Sequence, residues 1–248
     1  MIKNKTIACV IPARLNSTRF PEKIIKNLQG KPVVQWVWEK ANQCGFFDEV
    51  IIAVDDTKTL KIAENFSAKV CMTDSALPSG TMRLIAAREV LGKEFDYWLN
   101  WQADEPLLPK EMILDLINGV DGSCDVYTLK KKISLEDAKK PQIVKVITDK
   151  NNKALYFSRA EIPFIRDAHI HESPYYKHIG LYLYGKKALD KIKNFKVSDL
   201  EDLEKLEQLT FLYQGMSIKV SSTDYEGIGI DYIEDLIRAE KYLKEQNI

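Results

Sequence analysis

Uncharged apolar runs of strand length alternate with segments of helical period through the first half of the chain. Residues 6–11 read as a buried strand, with Ile7, Ala8, Cys9, Val10 and Ile11 in unbroken succession. Residues 32–44 read as a helix, because Val33, Val34, Trp36, Val37 and Ala41 fall at near-helical spacing and Pro32 suits a first turn. The alternation continues with strands over 50–54, 68–72 and 97–101 and helices over 57–66, 81–91 and 110–117. A strand without a polar face needs cover on both sides. This order therefore predicts an α/β fold, a mostly parallel sheet with helices on both faces.

The pattern then changes. Residues 126–131, 143–148, 154–158 and 178–184 read as strands, and the turn Asp149-Lys150-Asn151-Asn152 joins two of them into a hairpin. A helix over 198–213, a strand over 217–221 and a closing helix over 233–245 complete the chain, with Asp231 and Glu234 as a capping box for the last helix. No internal repeat or linker is evident. The expected organisation is one domain over 1–248, with 124–190 as an antiparallel β-arm.

Composition removes several classes of function. Lys plus Arg equals Asp plus Glu at 36 each, which argues against a broad nucleic-acid or acidic-membrane surface but not against a local basic pocket. Cys9, Cys44, Cys71 and Cys124 are widely spaced and form no zinc pattern, so they read as reduced, buried thiols. The first apolar run is too short for a secretory signal, and no stretch approaches the ~20 apolar residues that span a bilayer. A cytoplasmic protein without membrane insertion is expected.

In a parallel sheet, the loops after the strands gather at the carboxyl edge, where ligands bind. The loop from Pro12 to Lys23 carries Arg14, Arg19 and Lys23 beside the hydroxyls of Ser17 and Thr18. Such a set suits a polyphosphate, and equally a solvated basic loop. Neither a P-loop nor a dinucleotide motif is present. Ser79-Gly80-Thr81-Met82-Arg83 has the form of a helix N-cap. The acids in Gln102-Ala103-Asp104-Glu105-Pro106 suit Mg²⁺ or a simple turn, and Asp231 reads either as a cap or as a metal ligand. His169 and His171 form an HxH pair with no third ligand in view.

Taken together, these segments resemble the CMP-Kdo synthetases, the 3-deoxy-manno-octulosonate cytidylyltransferases. The resemblance covers nearly the whole chain in order: PARLNSTRFPEK, VCMTDSALPSGTMRL, WQADEP, ALYFSRAEIPF, KHIGLYLY, LEDLEKLEQL and GIGIDYIEDL. It implies a Rossmann-like nucleotidyltransferase fold and a homodimer, with 124–190 serving sugar binding and dimerisation. It also implies transfer of CMP from CTP to a sugar acid, for lipopolysaccharide synthesis, with Mg²⁺ as cofactor and release of pyrophosphate. By resemblance, Ala13, Arg14, Ser17, Arg19, Lys23, Ser79, Gly80 and Arg83 hold the nucleotide, and Arg14, Lys23 and Asp104 carry catalysis. Asp104 and Asp231 hold the metal, and Gln102, Arg159, His178, Tyr182, Glu207 and Gln208 line the sugar pocket.

The chain departs from the family pattern at five positions. Met82 stands where an acid is usual, Ala103 and Glu22 where glycine is common, and Gly185 and Thr210 where arginine is usual. The two missing cations open the pocket to an 8-amino analogue of Kdo as well as Kdo. A sialic-acid-like substrate and a non-catalytic nucleotide-binding homologue are the alternatives.

Overall fold

The computed structural model describes residues 5–166 and 173–246. Their contacts gather into two units, residues 5–110 with 226–246, and residues 111–225.

The first unit is built on a parallel sheet. β1 (Ile7–Ala13) is buried at every residue, as a strand covered on both faces must be. A small hairpin follows, β2 (Asn27–Leu28) and β3 (Lys31–Pro32), turning through Gln29 and Gly30 at φ 50° and 82°. Two successive positive φ values match the tight turn that suits strand twist. β4 (Glu49–Val54), β5 (Val70–Met72) and β6 (Tyr97–Asn100) complete the set. β1 pairs in parallel with β4 and β6, and β4 with β5, which gives the order β6-β1-β4-β5.

The helices Val33–Cys44, Thr57–Glu64 and Gly80–Leu91 alternate with these strands as expected. Pro32 stands just outside its helix in an extended conformation, not within the first turn. Asp56 and Ser79 cap the next two helices, accepting the Lys58 and Met82 N–H groups. Gly45 and Gly92 end the first and third helices in the left-handed region. The closing helix, Ile233–Glu245, buries Ala239 and Leu243 against Leu28, Val33, Trp36, Leu107 and Ile230. Its start corrects the expected capping box. Asp235, not Glu234, reaches back to accept the Asp231 and Tyr232 N–H groups.

The second unit carries the antiparallel strands. β7 (Val126–Lys132), β8 (Lys145–Thr148), β9 (Ala154–Ser158) and β10 (Tyr176–Gly185) pair antiparallel as β7-β10-β8-β9. β11 (Ile218–Ser222) joins β7 in parallel. The expected single helix over 198–213 is two, Asp199–Glu204 and Glu207–Tyr213. Lys205 breaks it at φ 51°, which ends helical propagation.

No disulfide joins the four cysteines; Cys9, Cys44 and Cys71 are buried and Cys124 is half-buried. Among the described residues no helix is long and apolar enough to cross a membrane. The HxH pair lies outside the described residues.

Candidate active site

The carboxyl edge of the first unit's sheet brings three loops and the 228–231 segment together. Ala13, fully buried, ends β1 in register with Val54. The chain then enters the basic loop, where Arg14, Asn16, Ser17, Thr18, Arg19, Phe20 and Lys23 line a cavity of about 450 Å³. The loop braces itself, since the Ser17 hydroxyl donates to the Phe20 carbonyl. Glu22 sits at φ 56°, the left-handed region where glycine is cheapest. Its carboxylate grips Lys58 Nζ at 2.7 and 2.8 Å, which offsets part of that strain. The departure from glycine at this position thus comes with a partner of its own.

Lys23 is the centre of the polar cluster. Its ammonium lies 2.5 Å from Asp104 Oδ2 and 2.8 Å from Asp231 Oδ1. Burial alone would lower its pKa, but Asp104 and Asp231 outweigh burial and hold it above the ordinary lysine value. Arg19 approaches the other Asp231 oxygen at 3.1 Å and lies 5.7 Å from the Tyr232 ring centre, and Asp231 is the main reason its pKa is raised. The Ile230 N–H donates to the Asp104 carbonyl at 2.8 Å, which fixes the two acidic segments side by side. With Asp235 taking the capping role, the Asp231 carboxylate faces the cations.

Glu105 turns the other way. Burial, then the charges of Asp104 and Asp231, push its carboxyl up to about 8 against the pull of Lys23, and its Oε2 has no hydrogen-bond partner. No group of three His, Cys, Asp or Glu side chains able to hold a metal occurs among the described residues. The two converging carboxylates nevertheless suit a hard cation that completes its shell with phosphate oxygens and water, as Mg²⁺ does. Their oxygens already surround one positive charge, that of Lys23.

Ser79 and Gly80 open a helix beside this cluster. A Cβ at Gly80 would come within 3.3 Å of both Gln102 amide atoms and 3.5 Å of Asn100 Nδ2, so a side chain there would displace the Gln102 amide slightly. Gln102 donates to Asn100 Oδ1 at 3.1 Å. Arg83, expected near the nucleotide, is buried. It is 2 % exposed, paired with Asp55 at 3.2 Å and bonded to Thr73 Oγ1 and the Asp74 carbonyl. Sequence reasoning missed Asp55, Thr73 and Asn100. The available signal was position, since Asp55 directly follows strand β4 as the basic loop follows β1. Ala103 is buried and absent from the positive-φ residues, so it replaces glycine without strain.

The other residues expected to bind the sugar acid, Arg159, His178, Tyr182, Glu207 and Gln208, lie in the second unit. His178 and Tyr182, four apart on β10, present their rings to each other at 5.3 Å, and Phe157 meets His178 at 4.9 Å. Burial pushes the His178 pKa down to about 3, so the ring is neutral at ordinary pH. Its Nε2 lies 3.0 Å from Thr128 Oγ1, whose hydroxyl hydrogen points to the Ile179 and Leu181 carbonyls. A neutral His178 with its proton on Nε2 can donate to this hydroxyl while the hydroxyl donates to a carbonyl. Burial, then Tyr184 and Glu207, hold the Tyr182 phenol well above its usual pKa. Gln208 is buried and Glu207 half-buried on one helix. Arg159 donates through Nε to the Glu204 carbonyl at 2.7 Å and through Nη1 to the Pro141 carbonyl at 3.2 Å. Two departures have structural uses here. Thr210 accepts the Ser198 N–H at 2.9 Å and bonds Glu201, and Gly185 starts the helix Lys186–Ile192.

Comparison with known proteins identifies the family. The cytidylyltransferase family model matches residues 8–218. The 3-deoxy-manno-octulosonate cytidylyltransferase of Thermodesulfovibrio yellowstonii is 45% identical, covering 95% of this chain and 97% of its own. That of Helicobacter pylori is 40% identical over 94% of this chain and 96% of its own. A solved structure of CMP:2-keto-3-deoxy-manno-octonic acid synthetase complexed with CTP superposes with a TM-score of 0.92 at 33% identity, covering 97% of this chain and 99% of that one. The basic loop, the paired aspartates and this similarity along nearly the whole length place the chain in the 3-deoxy-manno-octulosonate cytidylyltransferase family.

Proposed function

We infer that this protein transfers CMP from CTP to the anomeric hydroxyl of 3-deoxy-manno-octulosonate and releases pyrophosphate. The observation that carries this reading is the meeting of Asp104, Asp231 and Lys23 beside a cavity lined by Arg14 and Arg19. The sugar hydroxyl attacks the α-phosphorus and the bond to the β-phosphate oxygen breaks. Such a transfer asks the protein for positioning and charge neutralisation, not for a covalent nucleophile. Arg14, Arg19 and Lys23 bind and orient the triphosphate through charge-assisted hydrogen bonds. Asp104 and Asp231 would hold Mg²⁺, which would neutralise phosphate charge and lower the pKa of a ligated alcohol.

Arg159 suits the sugar carboxylate, and the neutral His178 with Tyr182, Glu207 and Gln208 suits its hydroxyls. A homodimer, a cytoplasmic location and a role in lipopolysaccharide synthesis belong to the same reading, carried by the family resemblance. The test is pyrophosphate release with CTP, Mg²⁺ and a panel of Kdo, 8-amino Kdo and a sialic acid. The reading expects the highest kcat/KM with Kdo. Release with none of the three would overturn it, and a preference for another acid would move the substrate while keeping the reaction.

A further inference from the structure

A buried ion pair behind the basic loop joins Arg83 to Asp55, a residue given no role above in holding CTP or Mg²⁺. Asp55 and Arg83 are 3 % and 2 % exposed and lie 3.2 Å apart. The second oxygen of Asp55 accepts the Leu15 N–H at 2.9 Å, and that N–H belongs to the peptide that follows Arg14. On the other side of Arg14, Ala13 is held in β1 opposite Val54. Arg14 is thus fixed from both flanks. Leu15 is buried, while the Arg14 side chain is exposed at the cavity.

The pair also cross-links the neighbouring loops. Arg83 Nη1 donates to Thr73 Oγ1 at 2.6 Å and to the Asp74 carbonyl at 3.2 Å, and Thr73 Oγ1 donates to the Val54 carbonyl at 2.8 Å. Segments after β1, β4 and β5 and the helix Gly80–Leu91 are therefore tied together through the Asp55–Arg83 pair. Charge adds a second reason for it. Burial lowers the Arg83 pKa, Asp55 opposes that, and the nearby Arg14 lowers it further. Two guanidinium groups stay close because a buried anion lies with them.

We propose that Asp55 is a positioning residue for Arg14, holding the Arg14–Leu15 peptide while its charge pairs with Arg83. This rests on the reading that Arg14 binds the triphosphate of CTP. Asp55→Asn is the direct test, because an amide has one acceptor oxygen and cannot serve both Leu15 and Arg83. CTP affinity is measured by calorimetry with Mg²⁺ and no sugar acid, in the wild-type and Arg14→Ala backgrounds. Asp55→Asn weakens CTP binding by about 10-fold when Arg14 is present and by less than about 2-fold when it is absent. An equal loss in both backgrounds, or no loss in either, overturns the proposal, since a merely structural defect would not depend on Arg14.

If Asp55→Asn shows no cooperative melt, Thr73→Val replaces it, removing one bond to Arg83 and no charge. It should weaken CTP by about 3-fold with the same dependence on Arg14, and independence from Arg14 overturns the proposal again. A wild-type protein that binds no CTP would overturn the proposed activity itself. That result is distinct from intact CTP binding without coupling, which overturns only the role of Asp55.

Discussion

Asp104 and Asp231 reach the same ammonium group, Lys23 Nζ, at 2.5 and 2.8 Å. One comes from the loop after β6 and the other from just before the closing helix. Two carboxylates this close are mutually repulsive without a cation between them. Asp104→Asn removes half of that charge while keeping shape. Turnover should fall roughly 100-fold or more with the melting temperature little changed, because a group acting on transition-state charge is lost. Pyrophosphate release and a thermal melt check both halves, and EDTA should abolish activity. Full turnover in EDTA would remove Mg²⁺ from the mechanism.

Arg19 separates binding from folding. Its side chain is 58% exposed, so its pair with Asp231 adds little to stability. Arg19→Ala should raise the KM for CTP about 10-fold through loss of a charged phosphate contact, leaving unfolding free energy within about 0.5 kcal/mol. Unchanged CTP kinetics would make the loop a solvated one.

His178 should leave a signature in stability against pH. Its folded pKa, about 3, lies below the ordinary histidine value of 6.5. Between those two values the unfolded chain binds a proton that the native ring refuses, so stability falls as pH drops below about 6.5. The ring is half-buried, so the loss should be about 1 kcal/mol between pH 6.5 and pH 5. His178→Gln, which keeps a donor for Thr128, should flatten that part of the curve in urea unfolding at several pH values. Identical pH slopes for the two proteins would contradict the burial of a neutral ring.

Gly80 tests a close approach. Alanine there favours the helix, yet its Cβ meets the Gln102 amide at 3.3 Å and pushes that amide aside. Gly80→Ala should raise the KM for the sugar acid by about 3–10-fold, with a smaller effect on CTP and little change in melting temperature. Equal effects on both substrates would place Gln102 elsewhere in the reaction.

The five-position departure from the family pattern also divides along physical lines. Glu22, Ala103, Thr210 and Gly185 each have a local use or no strain, visible only with their neighbours in place. Met82 supplies an N–H to its helix cap through the backbone, which any residue would do, and nothing in the structure explains the methionine side chain.

Periodicity alone determined the alternating strands and helices of the first half, since a strand buried on both faces can carry no charge along its length. It also gave the 148–154 hairpin and the closing helix Ile233–Glu245. Motif order pointed to the cytidylyltransferase family. The tertiary structure decided what depends on distant partners. It broke the 198–213 helix at Lys205, because a left-handed residue leaves no trace in apolar spacing. It gave the cap to Asp235 and so turned Asp231 toward Lys23 and Arg19. It also paired Arg83 with Asp55, since a contact between residues 28 apart is set by packing across the sheet edge and not by neighbours along the chain.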